Sequence, residues 1–255
     1  ASTTLIQLLD LDPPPTVRSQ ALYRLGVCRF RTESYADAAT ILDQYMTENP
    51  TSDLLASASL MTGESLLRTG AHREAATHLE RVVERFPTDE GYPSALLRLG
   101  ECLSVMQRWG RAHDIFARHR QSFPESPLWF QSQFGLGWAL ENQGRHDEAI
   151  EAYTDVVARH EGPTAARAQF QIGECLYAQK KLEEAARELL KVDILYAYPE
   201  WSAAALYEAG RVFLDLRKPA EARTQFTTVV ESHPDTEWAR LAQDQLERLG
   251  VRRPD

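Results

Sequence analysis

Six glycines recur along this chain at an almost fixed interval. Gly26, Gly63, Gly100, Gly137, Gly173 and Gly210 are separated by 37, 37, 37, 36 and 37 residues. Twelve residues after each stands an alanine, at Ala38, Ala75, Ala112, Ala149, Ala185 and Ala222, and four further on a large apolar residue, at Leu42, Leu79, Phe116, Tyr153, Leu189 and Phe226. Proline follows twelve after the alanine at Pro50, Pro87, Pro124 and Pro234, and two places late at Pro163 and Pro199. Self-similarity at one period over a whole chain means an array of identical small units, so most other folds are excluded at once.

The spacing of apolar residues within a unit is helical, and strand-like alternation is absent. In the second unit, SLMTGESLLR carries apolar residues at helical intervals until Gly70, a residue suited to ending a helix. HREAATHLERVVERF then places Ala75, Leu79, Val82, Val83 and Phe86 on one face, and Pro87 stops that helix. Each unit therefore reads as two antiparallel helices that bury their apolar faces only by stacking on neighbours. The repeated glycine lies inside the first helix, where it costs about 1 kcal/mol relative to alanine. Such a cost repeated in every unit predicts that glycine and alanine let the two helices approach closely.

The phase divides residues 1–255 into a single array: a half repeat 1–18, repeats at about 19–55, 56–92, 93–129, 130–165, 166–202 and 203–236, and a terminal helix 237–249. Ala1, Leu5 and Pro13 reproduce the alanine, apolar and proline positions of the opening half, and Glu247 stands in the glycine position of the last helix. Leu5, Ile6, Leu8 and Leu9 of the half repeat lack part of their expected cover, which makes self-association through the chain ends an expectation.

With 43% hydrophobic and 25% charged residues the composition is that of a globular protein. The net charge of −9 argues against non-specific binding to nucleic acid or anionic lipid, both of which need a basic face. No apolar run reaches the roughly 18 residues of a membrane span, so direct membrane insertion is not expected; ASTTLIQLLD shows no charged start or cleavage site of a signal peptide, although one could already have been removed. Three cysteines do not make a disulfide framework. Cys28, Cys102 and Cys175 each lie two residues after a repeat glycine, a slot filled elsewhere by Ser65, Ala139 and Val212. That series of small residues predicts buried, unreactive thiols two repeats apart, too far to bridge or share a metal.

No catalytic or nucleotide-binding motif is visible. The seven histidines, His72, His78, His113, His119, His146, His160 and His233, show no ligand spacing and read as structural. A non-enzymatic chain without cofactor or metal is expected.

The ordered motifs LGECL with HDIF (Leu99 to Leu103, His113 to Phe116), LGWAL with EAIEAY (Leu136 to Leu140, Glu148 to Tyr153) and EAGRVF with EARTQF (Glu208 to Phe213, Glu221 to Phe226) resemble the tetratricopeptide repeat (TPR). The resemblance covers essentially the whole chain. It implies an all-α, right-handed α-solenoid of stacked antiparallel helix pairs. The period of 37 exceeds the family's 34 by three residues, placed in links such as FPTDEGYPSA, FPESPLWFQS and HPDTEWARLA. These links are similar to those of bacterial cell-envelope TPR proteins, among them outer-membrane assembly lipoproteins and Tol-Pal-associated coordinators. That points to the periplasm or cell envelope, while the free thiols point to the cytoplasm, and localisation stays open. Two departures stand out. Arg29 replaces an apolar residue in the first repeat, and LLKVDILYAYPEW in the fifth lacks proline at the usual place, which predicts a longer second helix there.

In the family, the residue after the glycine faces a concave groove, as do those three before and four or five after it. Carried onto this sequence, the groove comprises Tyr23, Phe30 and Arg31; Leu60, Glu64, Leu67, Arg68 and Glu101; and Phe134, Trp138, Glu141, Asn142, Phe170, Glu174, Tyr177, Tyr207, Arg211 and Asp215. The aromatics Phe134, Trp138, Phe170, Tyr177 and Tyr207 admit two readings, packing between neighbouring first helices or a wall of anchors for a peptide or partner helix. Trp201 and Trp238 share a register nine before the glycine position and read as packing between repeats. The function implied is a scaffold that binds a peptide or partner protein segment on its concave face. The alternatives are a spacer or assembly module of a larger protein acting through its ends, or the regulatory part of an enzyme whose catalytic domain lies elsewhere.

Overall fold

The computed structural model describes residues 2–250; Ala1, assigned to the alanine position of the opening half repeat, lies outside them. Among the described residues there are fourteen α-helices and no strand. They form two compact units that meet in sequence between Gly135 and Leu136.

The first unit contains α1 (Ser2–Asp10), α2 (Pro15–Arg31), α3 (Tyr35–Glu48), α4 (Leu55–Arg68), α5 (His72–Arg85), α6 (Tyr92–Val105), α7 (Trp109–Ser122) and the start of α8 (Trp129–Glu141). From α1 to α7 each helix packs on the next. First helices also approach backbone to backbone, α2 with α4 and α4 with α6, whereas α3 and α5, and α5 and α7, stand further apart and meet through long side chains, Arg81 reaching Met46 at 3.5 Å and Arg111 reaching Glu80 at 2.7 Å. The row of first helices is thus the tighter one and forms the inner face of the unit. The second unit repeats the scheme with the end of α8 and with α9 (His146–Arg159), α10 (Pro163–Ala178), α11 (Leu182–Leu195), α12 (Pro199–Asp215), α13 (Pro219–Ser232) and α14 (Glu237–Arg248). There α10 touches α12, and α12 touches α14.

The repeat glycines explain how close a pair can come. A β-carbon built on any of the six would come within 2.7 Å of a side-chain atom sixteen residues ahead, on Leu42, Leu79, Phe116, Tyr153, Leu189 or Phe226. These are the same apolar residues that the periodicity singles out, and every one is at most 2% exposed. The side chain of the second helix lies directly on the backbone of the first. Phe116 lies also against Gly135 of α8, a contact outside the repeat pattern.

The turns between paired helices share one backbone device. Seven residues after each repeat glycine the chain adopts a positive φ, at Glu33, Gly70, Gln107, Gly144, Lys180 and Arg217. The next amide donates five residues back, as from Ala71 to Leu66 at 2.9 Å and from Arg108 to Leu103 at 2.7 Å. This left-handed cap satisfies the last carbonyls of the first helix. Gly70 and Gly144 adopt it freely, and the four side-chain-bearing residues do so at a cost of roughly 1 kcal/mol or more.

The displaced prolines have a simple role. Pro163 and Pro199 open α10 and α12 instead of closing the helices before them. A first-turn proline loses no hydrogen bond and has its φ already set. The expectation of a longer second helix in the fifth repeat is overturned. α11 has 14 residues, as do α9 and α13, because Tyr196 turns to extended backbone at φ −128° and ψ 135°. In the first repeat, Arg29 is half-buried and reaches Asp37 at 3.7 Å.

Cys102 and Cys175 are buried, and burial pushes the Cys102 thiol up to about 12 and the Cys175 thiol up as well. Cys28 departs from the expectation, being half-buried. Its helix has on one side only α1, nine residues long and without a buried residue.

Two tests follow from this packing. Gly100→Ala and Gly137→Ala are expected to destabilise by a net amount of up to about 2 kcal/mol, an overpacking cost of about 1–3 kcal/mol less a helix-propensity gain of about 1 kcal/mol. Gly110→Ala, whose β-carbon would meet nothing within 4 Å, is expected to be neutral or stabilising in the same urea titration. In native alkylation followed by mass spectrometry, Cys28 should label first, with Cys102 and Cys175 protected until the fold opens.

Candidate functional site

The inner face of the first unit holds a cavity of about 360 Å³ lined by Phe30, Tyr35, Glu64, Leu67, Arg68, Arg98 and Glu101. Three successive first helices supply all but Tyr35, which opens α3. Phe30 meets Tyr35 edge-on with ring centroids 5.9 Å apart. Arg68 lies over the Tyr35 ring at 6.0 Å and, among the described residues, makes no ion pair. Arg98 bridges two helices, donating to Glu64 at 3.4 Å and to Glu101 at 3.0 Å. Burial works against its charge, but Glu101 and Glu64 together hold its pKa above the usual arginine value. The cavity therefore combines an apolar wall, a guanidinium and a fixed ionic network.

Tyr23 and Arg31 stand apart from this cavity. The Tyr23 ring tilts against Tyr45 at 5.3 Å and its hydroxyl meets Ser57 Oγ at 3.0 Å, so it packs. Arg31 is exposed. Of the histidines, His119 is fully buried beside Phe123, and burial lowers its pKa.

The inner face of the second unit is built differently. The guanidinium of Arg167 lies 5.4 Å from the centroid of Trp138 and 5.8 Å from that of Trp201, between two indoles. Glu141 accepts from the Tyr153 hydroxyl at 2.7 Å and from Gln171 Nε2 at 2.9 Å. Asn142 donates to the Trp138 carbonyl at 2.8 Å, closing its own helix. The Tyr177 hydroxyl donates to Asp215 at 2.7 Å, and its ring lies under Lys180 and Arg211. Arg211 donates to Glu208 at 2.6 Å. Among the described residues, one buried carboxylate oxygen of Glu174 has no hydrogen-bond partner. Burial, with the charges of Glu208 and Glu141, pushes its pKa up to about 7 against the pull of Arg211.

Family models match more than three quarters of the chain. One described as tetratricopeptide repeat matches residues 60–127 and 134–198, and a second of the same description matches 20–52 and 204–236. The chain belongs to the tetratricopeptide repeat family. Among solved structures, MamA of Desulfovibrio magneticus RS-1, from residue 41 to its end, is 22% identical with a TM-score of 0.62. The match covers 73% of this chain and 98% of that one. MamA AMB-1 is 22% identical with a TM-score of 0.59, over 71% of this chain and 92% of that one. MamA MSR-1 is 22% identical with a TM-score of 0.60, over 70% and 97%. These likenesses establish the fold. No curated protein matches the chain.

As a TPR protein the chain is a protein-interaction scaffold, and none of its described helices is long and apolar enough to cross a membrane. Part of the groove assigned from the family needs correction. Phe134 and Tyr207 are only 9% and 8% exposed and belong to the core, Tyr207 between Phe226 at 5.6 Å and Trp238 at 5.4 Å. A residue three before the glycine is rotated only about 60° from it around the helix, so it shares the packed side. Phe170, in the same register, tilts against Trp201 at 5.8 Å. Trp138 lies beneath Arg167. The five aromatics thus serve largely as packing between helices, and Trp201 and Trp238 take part in it. Tyr35 and Arg98 lie outside the assigned groove. The i, i+3 spacing of Arg98 and Glu101 is a sequence signal for an ion pair, whereas nothing in the sequence flags Tyr35.

Glu174 gives a pH prediction. Its folded pKa of about 7 exceeds the ordinary 4.5, so the folded state holds the proton more tightly. Stability from this group is full below pH 4.5 and is lost as pH rises to about 7. Glu174→Gln should remove that loss, gaining on the order of 1–3 kcal/mol over wild type at pH 8 compared with pH 4.5, measured by urea unfolding at both.

Proposed function

We propose that the inner face of the first unit holds an extended segment of a partner protein, in the cavity bounded by Phe30, Tyr35, Leu67 and Arg68 and by the Glu64–Arg98–Glu101 network. The observation that carries this reading is the cavity itself, where neighbouring repeats bring an apolar wall and a guanidinium without an ion pair into one concavity. An apolar side chain of the segment fits against Phe30 and Leu67, and its acceptors reach Arg68. Aromatic and arginine side chains in a desolvated depression are the usual anchors of such contacts. In this reading the chain does no chemistry and needs no cofactor. Glu174, Tyr177 and Arg211 belong to the second unit and play no part in this cavity.

A second reading, an assembly module acting through its ends, is favoured by α1. None of its residues is buried, and Ile6 and the adjoining Leu11 are 38% and 78% exposed.

Random-peptide display on the wild-type chain provides the test. Enriched peptides should lose about tenfold or more in affinity against Phe30→Ala and against Arg68→Ala, each a hot-spot-sized loss. Circular dichroism should report an unchanged fold in both variants. Peptides that bind both variants as tightly as wild type would refute the cavity as the site.

A further inference from the structure

The fifth repeat breaks the pattern of the array at one place on its surface. Twenty-one and twenty-two residues after the repeat glycine, the other five repeats carry Thr-Glu, Glu-Arg, Gln-Ser, Ala-Arg and Glu-Ser. The fifth carries Ile194 and Leu195, which are 74% and 61% exposed at the end of α11. The link that follows adds Tyr196 and Tyr198, both half-buried. The Tyr198 hydroxyl stands 3.7 Å from where a β-carbon on Gly162 would lie, so this link meets the one between α9 and α10. Five sister repeats fold without an aliphatic pair at these positions, so the helix pair does not require these side chains. Contiguous exposed apolar residues of this kind mark contact surfaces.

The charges around the patch say what would cover it. Asp193 precedes the pair, Glu200 follows the link, and Glu161 adjoins Gly162; all three are exposed. Among the described residues none of the three forms an ion pair. The nearby Lys191 is held by Glu188 at 2.8 Å, and Arg187 lies about 10 Å further up the helix. On α9 the neighbouring Arg159 lies 3.9 Å from Asp155, so the apolar centre has a rim on which these three exposed carboxylates are, among the described residues, unpaired. A second copy of a chain of net charge −9 would bring like rims together in a two-fold contact. An anionic membrane would be repelled.

We infer that the Ile194–Leu195 patch docks a partner protein segment that presents paired apolar side chains flanked by lysine or arginine. Apolar burial supplies the contact, and the carboxylates select the charge of the flanks. This site belongs to the second unit and is independent of the proposed cavity in the first.

The probe is a fluorescent synthetic peptide with a Leu-Leu pair set between lysines, with two controls that replace lysine by glutamate or leucine by serine. Anisotropy at low salt should show the lysine peptide binding wild type at least about tenfold more tightly than either control, the scale of one anchoring contact. Ile194→Ser/Leu195→Ser should lose that preference. Asp193→Asn/Glu200→Gln should weaken it, by a margin that disappears at high salt. All the substituted side chains are exposed, so circular dichroism should be unchanged in both variants. Absence of binding to wild type, equal binding by the serine variant, or equal binding of the glutamate peptide would overturn the inference. So would self-association in sedimentation that the serine variant abolishes, which would assign the patch to a second copy. Sedimentation with phosphatidylserine vesicles that depends on Ile194 and Leu195 would assign it to lipid instead. Peptides selected in the first unit's cavity should be indifferent to these variants, so the two proposals fail separately.

Discussion

The contact on which the rest depends is a side chain of each second helix lying on a glycine of its first. With a β-carbon at Gly26, Gly63, Gly100, Gly137, Gly173 or Gly210, the partner side chain would have to move or the helices separate. The contact does more than shorten a distance. It fixes how the first helix is rotated about its axis, because the glycine must face the second helix. Once that rotation is set, the remaining positions have no freedom. Residues near the glycine in angle are core, and those about 100° away, such as Glu64, Glu101 and Glu174, emerge on the inner face. Glycine costs about 1 kcal/mol of helix propensity, and the array tolerates this because the contact it permits sets the geometry of every pair.

This dependence explains which features of the fold are legible in the amino-acid sequence. The periodicity is a record of packing, so the packing positions stand out: the glycine, the small residue two later, the alanine, and the apolar residue sixteen on. The inner face is legible only through its angular relation to those positions. Glu64, Arg68 and Glu101 fall where the rotation places them. Phe134 and Tyr207 do not, since aromatic character suggests an anchor while their angle puts them in the core. The left-handed turn residues are hidden in four of six repeats. Glu33, Gln107, Lys180 and Arg217 adopt a backbone that their side chains disfavour, and the sequence shows glycine only at Gly70 and Gly144. Tyr35 is hidden for another reason. It enters the cavity from the start of a second helix, across the pair, and no spacing within one helix encodes that.

The two units share this skeleton and use their inner faces differently. In the first, Arg98 spends its charge on Glu64 and Glu101, and Arg68, among the described residues, has no ion pair and lies over the Tyr35 face. In the second, Arg167 is taken up by two indoles and Arg211 by Glu208, while Glu174 keeps an unmet oxygen. A cation paired inside a face is no longer available to a ligand, so counting charges along the groove misjudges what it can bind. The arrangement of partners decides it, and that arrangement comes from side chains on adjacent repeats.

A repeat array also provides its own control for function. Six copies of one helix pair show which positions folding constrains, because those positions hold their residue type from copy to copy. At the end of the second helix the other five copies carry no aliphatic pair, so nothing in the packing asks for Ile194 and Leu195. Both are more than half exposed, an arrangement that costs solubility. The same reasoning separates Trp138 from its counterparts. Glutamate or other residues fill its register elsewhere, and its indole is matched by Arg167 of the next first helix, which also lies over Trp201 of the one after. One departure is answered from inside the unit and the other is not, and that difference is the physical ground for assigning the first to stability and the second to a partner.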